Sequence, residues 1–109
     1  MFQLKDEKET IEILKNLLKF SNQDIAKIKI YLNLLLEANK KHNFIGKKTE
    51  NYVWIRHVLD SAQLVKYISF KNKGSLADLG SGAGFPGIIL AIFNKNNNFH
   101  VKLYDKSPV

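Results

Sequence analysis

Asp78-Leu79-Gly80-Ser81-Gly82-Ala83-Gly84-Phe85-Pro86-Gly87 is the stretch that decides the fold. Glycines at 80, 82 and 84 let the backbone turn sharply off a strand and approach a ligand with no Cβ atoms in the way. Just upstream, Ser75 to Leu79 reads as a short buried strand, and Gly80 to Phe85 as a glycine loop. Pro86 suits the first position of a helix, because its φ is already helical and its missing N–H costs nothing there. Gly87 to Phe93 is that helix, Asn94 to Asn98 a polar turn, and Phe99 to Tyr104 a second strand ending at Asp105. Strand, glycine loop, helix and strand make a βαβ unit with parallel strands and a right-handed crossover.

Upstream of the loop the period is helical. Ile11, Leu14 and Leu18 recur at helical spacing until Ser21, which with Asp24 three residues on forms a helix-start signature. The helix beginning there carries Ile25, Ile28, Leu32 and Leu35, widened by Tyr31 and Leu36, and runs to about Lys40, where Lys40 and Lys41 suit a carboxyl end. His42 to Lys48 reads as a loop turning at Gly46. Thr49 can cap a third helix bearing Val53, Trp54, His57, Val58, Ser61, Leu64, Val65 and Ile68 on one broad face. On that helix Arg56 and Asp60 lie four apart and can pair, a contact worth only about 0.3–0.5 kcal/mol when exposed. Lys71 to Gly74 is a turn or short linker, so a helical region over residues 1–72 precedes the start of an α/β domain over 73–109.

Lysine and arginine total 17 against 10 acidic residues, a net charge of +7 that favours polyanions as partners. The excess is concentrated: between Ala38 and Lys73, Lys40, Lys41, Lys47, Lys48, Arg56, Lys66, Lys71 and Lys73 face only Glu50 and Asp60. With no cysteine, disulfides, thiolate nucleophiles and thiolate-held zinc are excluded. The spacing of His42, His57 and His100 does not point to a metal site. No run has the length needed to cross a bilayer, and the expected location is the cytoplasm. A sheet of two parallel strands is not stable alone; a doubly wound domain would need about a hundred further residues to cover both faces. The chain therefore reads as truncated, and its open strand edge invites self-pairing or poor solubility.

Two cofactor classes fit the loop. Gly82-x-Gly84-x-x-Gly87 satisfies the dinucleotide fingerprint, with Asp105 about twenty residues on. S-adenosylmethionine fits better at two points. The Asp78 carboxylate at the strand end can take the donor's amino group, whereas a pyrophosphate is repelled by it. Pro86 removes an early helix N–H that a phosphate would use. Asp105 can accept from ribose hydroxyls under either reading.

The run from Asp78 to Ile88, with Arg56-His57-Val58-Leu59-Asp60-Ser61 upstream and Leu34 to Phe44 (LLLEANKKHNF) before it, resembles the ribosomal RNA small subunit methyltransferase G family, also called glucose-inhibited division protein B. Three separated blocks in the right order, from about Tyr31 to Asp105, are more specific than any one alone. The resemblance implies a helical amino-terminal region before a class I, Rossmann-like methyltransferase fold. The implied reaction is S-adenosylmethionine-dependent methylation of N7 of a guanine in 16S ribosomal RNA. It further implies donor contacts from Gly80 and Phe85, a loop shaped by Asp78, Ser81, Gly82 and Gly84, and Asp105 near the ribose. Asn43-Phe44-Ile45 stands where many members have Asn-Leu-Thr, so no threonine role carries over. The family's adenine-contacting loop and a later arginine are expected beyond Val109.

Guanine N7 has an in-plane lone pair and no proton to lose, so this reaction calls for positioning and desolvation rather than a general base. No catalytic base is expected in this segment. Arg56 can hold an RNA phosphate, or pair with Asp60; His57 can stack on a base, steady the glycine loop, or sit partly buried in the helix. Lys47 and Lys48, with Lys40 and Lys41, flank a loop and suit phosphate contact. Trp54, Tyr52 and Phe44 can stack on bases, though aromatics at helical spacing more often belong to the core. Two other classes remain at this point: a fragment of an NAD-dependent oxidoreductase, and a non-catalytic basic RNA-binding module.

Overall fold

A computed structural model of the chain describes residues 7–42, 45–79 and 83–104. Helix α1 spans Glu7–Asn16 and α2 spans Asn22–His42. Ser21 and Asp24 close the helix start reciprocally: the Ser21 N–H donates to Asp24 Oδ2 and the Asp24 N–H to Ser21 Oγ, both at 3.0 Å. Helix α2 buries the stripe read from the sequence, Ile25, Ile28, Leu32, Leu35 and Leu36. It runs two residues past Lys40, because Asn39 gives its end a tertiary anchor. The Asn39 side chain accepts from Ile45 N–H at 2.9 Å and donates to the Ile45 carbonyl at 3.0 Å and to Glu50 Oε1 at 3.1 Å.

The third helical segment departs from expectation. It begins at Gly46 and opens as a 3-10 helix over Lys47–Tyr52, so Lys47 lies in a helical turn rather than a loop. Thr49 is inside this turn and is not its cap; both its N–H and its hydroxyl donate back to the Gly46 carbonyl, at 3.0 and 2.8 Å. Wide π turns follow over Trp54–Leu59, then one α-helical turn, α3, over Asp60–Ala62, and a closing 3-10 helix over Gln63–Tyr67. Val53, Trp54 and Val58 are fully buried and Ser61 is buried, as the expected face requires, but His57, Val65 and Ile68 are only half-buried and Ala62, outside that face, is fully buried. Leu64 and Tyr52 are exposed. The widened turns also break the geometry that lets residues four apart meet, and no ion pair joins Arg56 to Asp60 among the described residues.

Strand β1, Gly74–Leu79, pairs in parallel with β2, Phe99–Tyr104, in register from Gly74 opposite Phe99 to Leu79 opposite Tyr104. Helix α4, Gly87–Phe93, connects them, which completes the βαβ unit. Between α4 and β2 the asparagines form the expected turn: Asn94 Nδ2 donates to the Phe99 carbonyl at 2.7 Å, and its Oδ1 accepts from Asn96 N–H at 3.0 Å. Pro86 sits one position earlier than expected, at the cap of α4; its carbonyl accepts from Ile89 and Leu90 N–H at 3.1 and 3.2 Å.

Strand β1 is not the buried strand that its sequence resembles. Its residues alternate between half-buried and exposed, ending in Leu79 at 77% exposed. The reason is coverage: α4 packs against β2, α2 and α3, leaving the sheet's second face and an edge uncovered among the described residues. The helices share one apolar cluster with α4 through Ile89, and Phe20, Phe93, Phe70 and Phe99 continue it as a chain of ring contacts 4.7 to 5.5 Å apart.

Candidate functional site

Strand β1 delivers Asp78 to its carboxyl end, the edge at which open α/β sheets hold ligands. One carboxylate oxygen, Oδ2, accepts from the Gly87 N–H at 2.8 Å and closes the glycine loop across its mouth. Gly87 allows this approach. A Cβ there would lie 2.7 Å from Leu103 Cγ and 2.8 Å from that same oxygen, so helix, strand and carboxylate meet where no side chain fits.

Within the loop the chain turns through Gly84 at φ +96°, in the left-handed region that disfavours any residue with a Cβ. The Gly84 carbonyl then accepts from Ile88 N–H at 2.7 Å and starts α4. Tyr31, half-way along α2, donates its hydroxyl to the Ala83 carbonyl. Burial raises the pKa of this phenol, keeping it a donor at neutral pH.

Phe85 is held between two rings. His57 stacks on it at 5.0 Å with 15° between the planes, and Tyr31 meets it edge-on at 6.0 Å. Burial lowers the His57 pKa, against a smaller opposing effect of the Asp60 carboxylate, so the imidazole is neutral where it stacks. Beside this stack a cavity of about 330 Å³ is lined by Arg56, His57, Asp60, Ser61, Leu64, Phe85 and Pro86. A second, of about 280 Å³, shares Leu64 and Pro86 and reaches Asp78 and Leu79.

The structure thus brings together Asp78, Gly84, Phe85, Arg56 and His57. Gly80, Ser81, Gly82 and Asp105 lie outside the described residues, as do Asn43 and Phe44, and the same holds for the Lys48 side chain. Lys47 is exposed on its 3-10 turn, and Lys40 pairs with Glu37 at 3.2 Å. Trp54 belongs to the core, and its indole N–H has no hydrogen-bond partner among the described residues. Sequence reasoning missed the role of Tyr31, assigning it to the apolar stripe. The available signal was a phenol among Ile and Leu, since a half-buried hydroxyl needs an acceptor. A cavity of about 560 Å³ at the opposite end of the sheet, lined by Lys19, Asp24, Phe70, Lys71 and Lys95 among others, is remote from this turn. Among the described residues no three His, Asp or Glu side chains converge as a metal site, and no helix is long and apolar enough to cross a membrane.

Residues 24–107 match the family described as GidB, rRNA small subunit methyltransferase G. The chain belongs to this family. Proteins named ribosomal RNA small subunit methyltransferase G are similar to it along most of its length. That of Rickettsia prowazekii is 48% identical over 75 residues, covering 69% of this chain and 39% of the relative. That of Pelagibacter ubique is 38% identical over 105 residues, covering 88% and 49%. That of Rickettsia typhi is 52% identical over 68 residues, covering 62% and 35%. The chain therefore spans between about a third and a half of the length of these relatives. No solved structure matches it. The glycine turn, the Asp78 carboxylate and the Arg56-His57 block all fall within the matched residues.

Proposed function

We propose that this chain carries the donor-binding half of an S-adenosylmethionine-dependent methyltransferase that modifies N7 of a guanine in 16S ribosomal RNA. In this reading the helical region ends near residue 72, and the βαβ unit from residue 73 is the first of a class I methyltransferase fold. The observation that carries the reading is the turn at Gly84, left-handed and closed by Asp78, at the carboxyl end of β1 in a chain of this family. Asp78 spends Oδ2 on the Gly87 N–H, and among the described residues its Oδ1 makes no hydrogen bond. A carboxylate at this strand end suits an ammonium group and repels a diphosphate, which favours the methyl donor over a dinucleotide.

The residues that would hold the donor are Asp78 at its amino group, the backbone from Gly80 to Phe85 along its length, and Asp105 at the ribose. Bound there, the donor supplies an electrophilic methyl on a sulfonium. Guanine N7 needs no proton removed, so this chain's part is to position and to exclude water. Phe85, clamped by His57 and Tyr31, presents a fixed apolar wall to that space. His57 spends one face on Phe85 and so steadies the loop. Arg56, exposed beside the cavity, is the phosphate contact, with Lys47 and Lys48 adding affinity without sequence choice.

Calorimetric titration with S-adenosylhomocysteine and, separately, with NAD tests the reading. Saturable binding of the first and none of the second is expected. Binding of NAD alone would make the chain part of a dinucleotide enzyme, and binding of 16S RNA fragments with no response to either compound would make it an RNA-binding module.

A further inference from the structure

We propose that Tyr31 is a positioning residue for the donor loop, so that helix α2 forms part of the donor site although it lies 52 residues away in sequence from the turn it holds. The inference rests on the functional reading above and adds to it a residue that touches no reacting atom. Three observations converge on this side chain. Its hydroxyl donates to the Ala83 carbonyl, which fixes the peptide entering the left-handed turn. Its ring meets Phe85 edge-on, which fixes the residue leaving that turn. A Cβ on Gly84, between the two, would overlap the Tyr31 hydroxyl and lie 3.1 Å from its Cζ. Tyr31 therefore occupies the volume that the glycine leaves open, and turn and phenol are fitted to each other.

The physical consequence is pre-organisation. A glycine-rich turn is free to adopt many conformations, and ordering it on ligand binding costs affinity. A hydrogen bond and a ring contact from a helix anchored in the apolar core remove most of those conformations before the ligand arrives. Leu32, the next residue along α2, is almost fully buried, so the phenol projects from a rigid support.

Tyr31→Phe tests this, since it keeps the ring against Phe85 and removes only the hydroxyl. Affinity for S-adenosylhomocysteine should fall roughly three- to tenfold, the size of one ordinary hydrogen bond. Hydrogen exchange at the Ile88 amide, which is bonded to Gly84, should quicken while that of Leu32 and Val58 is unchanged. Gly84→Ala should weaken binding on its own. In the double variant the two losses should be less than multiplicative, because the added methyl no longer meets a hydroxyl. Unchanged affinity and exchange in Tyr31→Phe, or fully multiplicative losses, would overturn the proposal. If the unaltered chain binds no S-adenosylhomocysteine the functional reading fails, and the exchange measurement still decides whether Tyr31 holds the turn.

Discussion

The helical region and the sheet are built to different standards of burial. Leu14, Ile28, Leu36, Val53, Trp54 and Val58 are completely shielded, whereas β1 contains no buried residue and Phe99 alone is buried in β2. Yet the candidate site sits on the poorly covered side, at the open end of β1. Rigidity at the turn is therefore imported: Tyr31 comes from α2 and His57 from the π turns, both rooted in the well-packed half. The βαβ unit supplies the carboxylate and the glycines, and the preceding helical region supplies the order.

The largest effect should come from breaking the packed half. Trp54→Ala removes the largest fully buried side chain and should cost about 3–5 kcal/mol, read as a fall in the urea midpoint. A loss under about 1 kcal/mol would mean that the helical core is looser than its burial implies. Next is the seam between the two regions. Gly87→Ala puts a methyl against Leu103 and the Asp78 carboxylate and should cost about 1–3 kcal/mol by the same measurement. A neutral outcome would show that α4 can lift off β2 without penalty.

Much of this contrast is visible in the sequence, and the parts that are not share a cause. The stripe of α2, the Ser21–Asp24 box and the βαβ unit are local or periodic, so residue spacing reveals them. The winding of residues 47–67 depends on Asn39 gripping Ile45 and on Trp54 being driven inward, neither of which any short window contains. The apolar character of β1 reads as burial because periodicity records what a strand can bury, not what is present to cover it. At the site, Asp78, Gly84 and Phe85 announce themselves by motif. The partners that hold them, Tyr31 and His57, are distant in the chain and look like ordinary helix residues.

Smaller effects sharpen the comparison from the sheet side. Leu79→Ser, at a position largely in solvent, should change the urea midpoint by no more than the equivalent of about 0.5 kcal/mol. A larger loss would show that something covers the end of β1. The smallest effect concerns acid. His57 has its folded-state pKa lowered by burial, so the unfolded chain takes up its proton first. The stability this neutral imidazole contributes is present above its ordinary value of 6.5 and is lost as pH falls from there toward the folded-state pKa. The His57→Gln variant should lose less stability than the unaltered chain over that interval; equal slopes would place the acid sensitivity elsewhere.

The central claim, that the turn between Asp78 and Gly87 is where the methyl donor binds, is tested most directly by following backbone amide resonances during titration with S-adenosylhomocysteine. The account predicts the largest shifts at Asp78, Gly84, Phe85 and Ile88, with smaller ones at Tyr31 and His57. Shifts confined to the other end of the sheet, around Lys19, Phe70, Lys71 and Lys95, would contradict it.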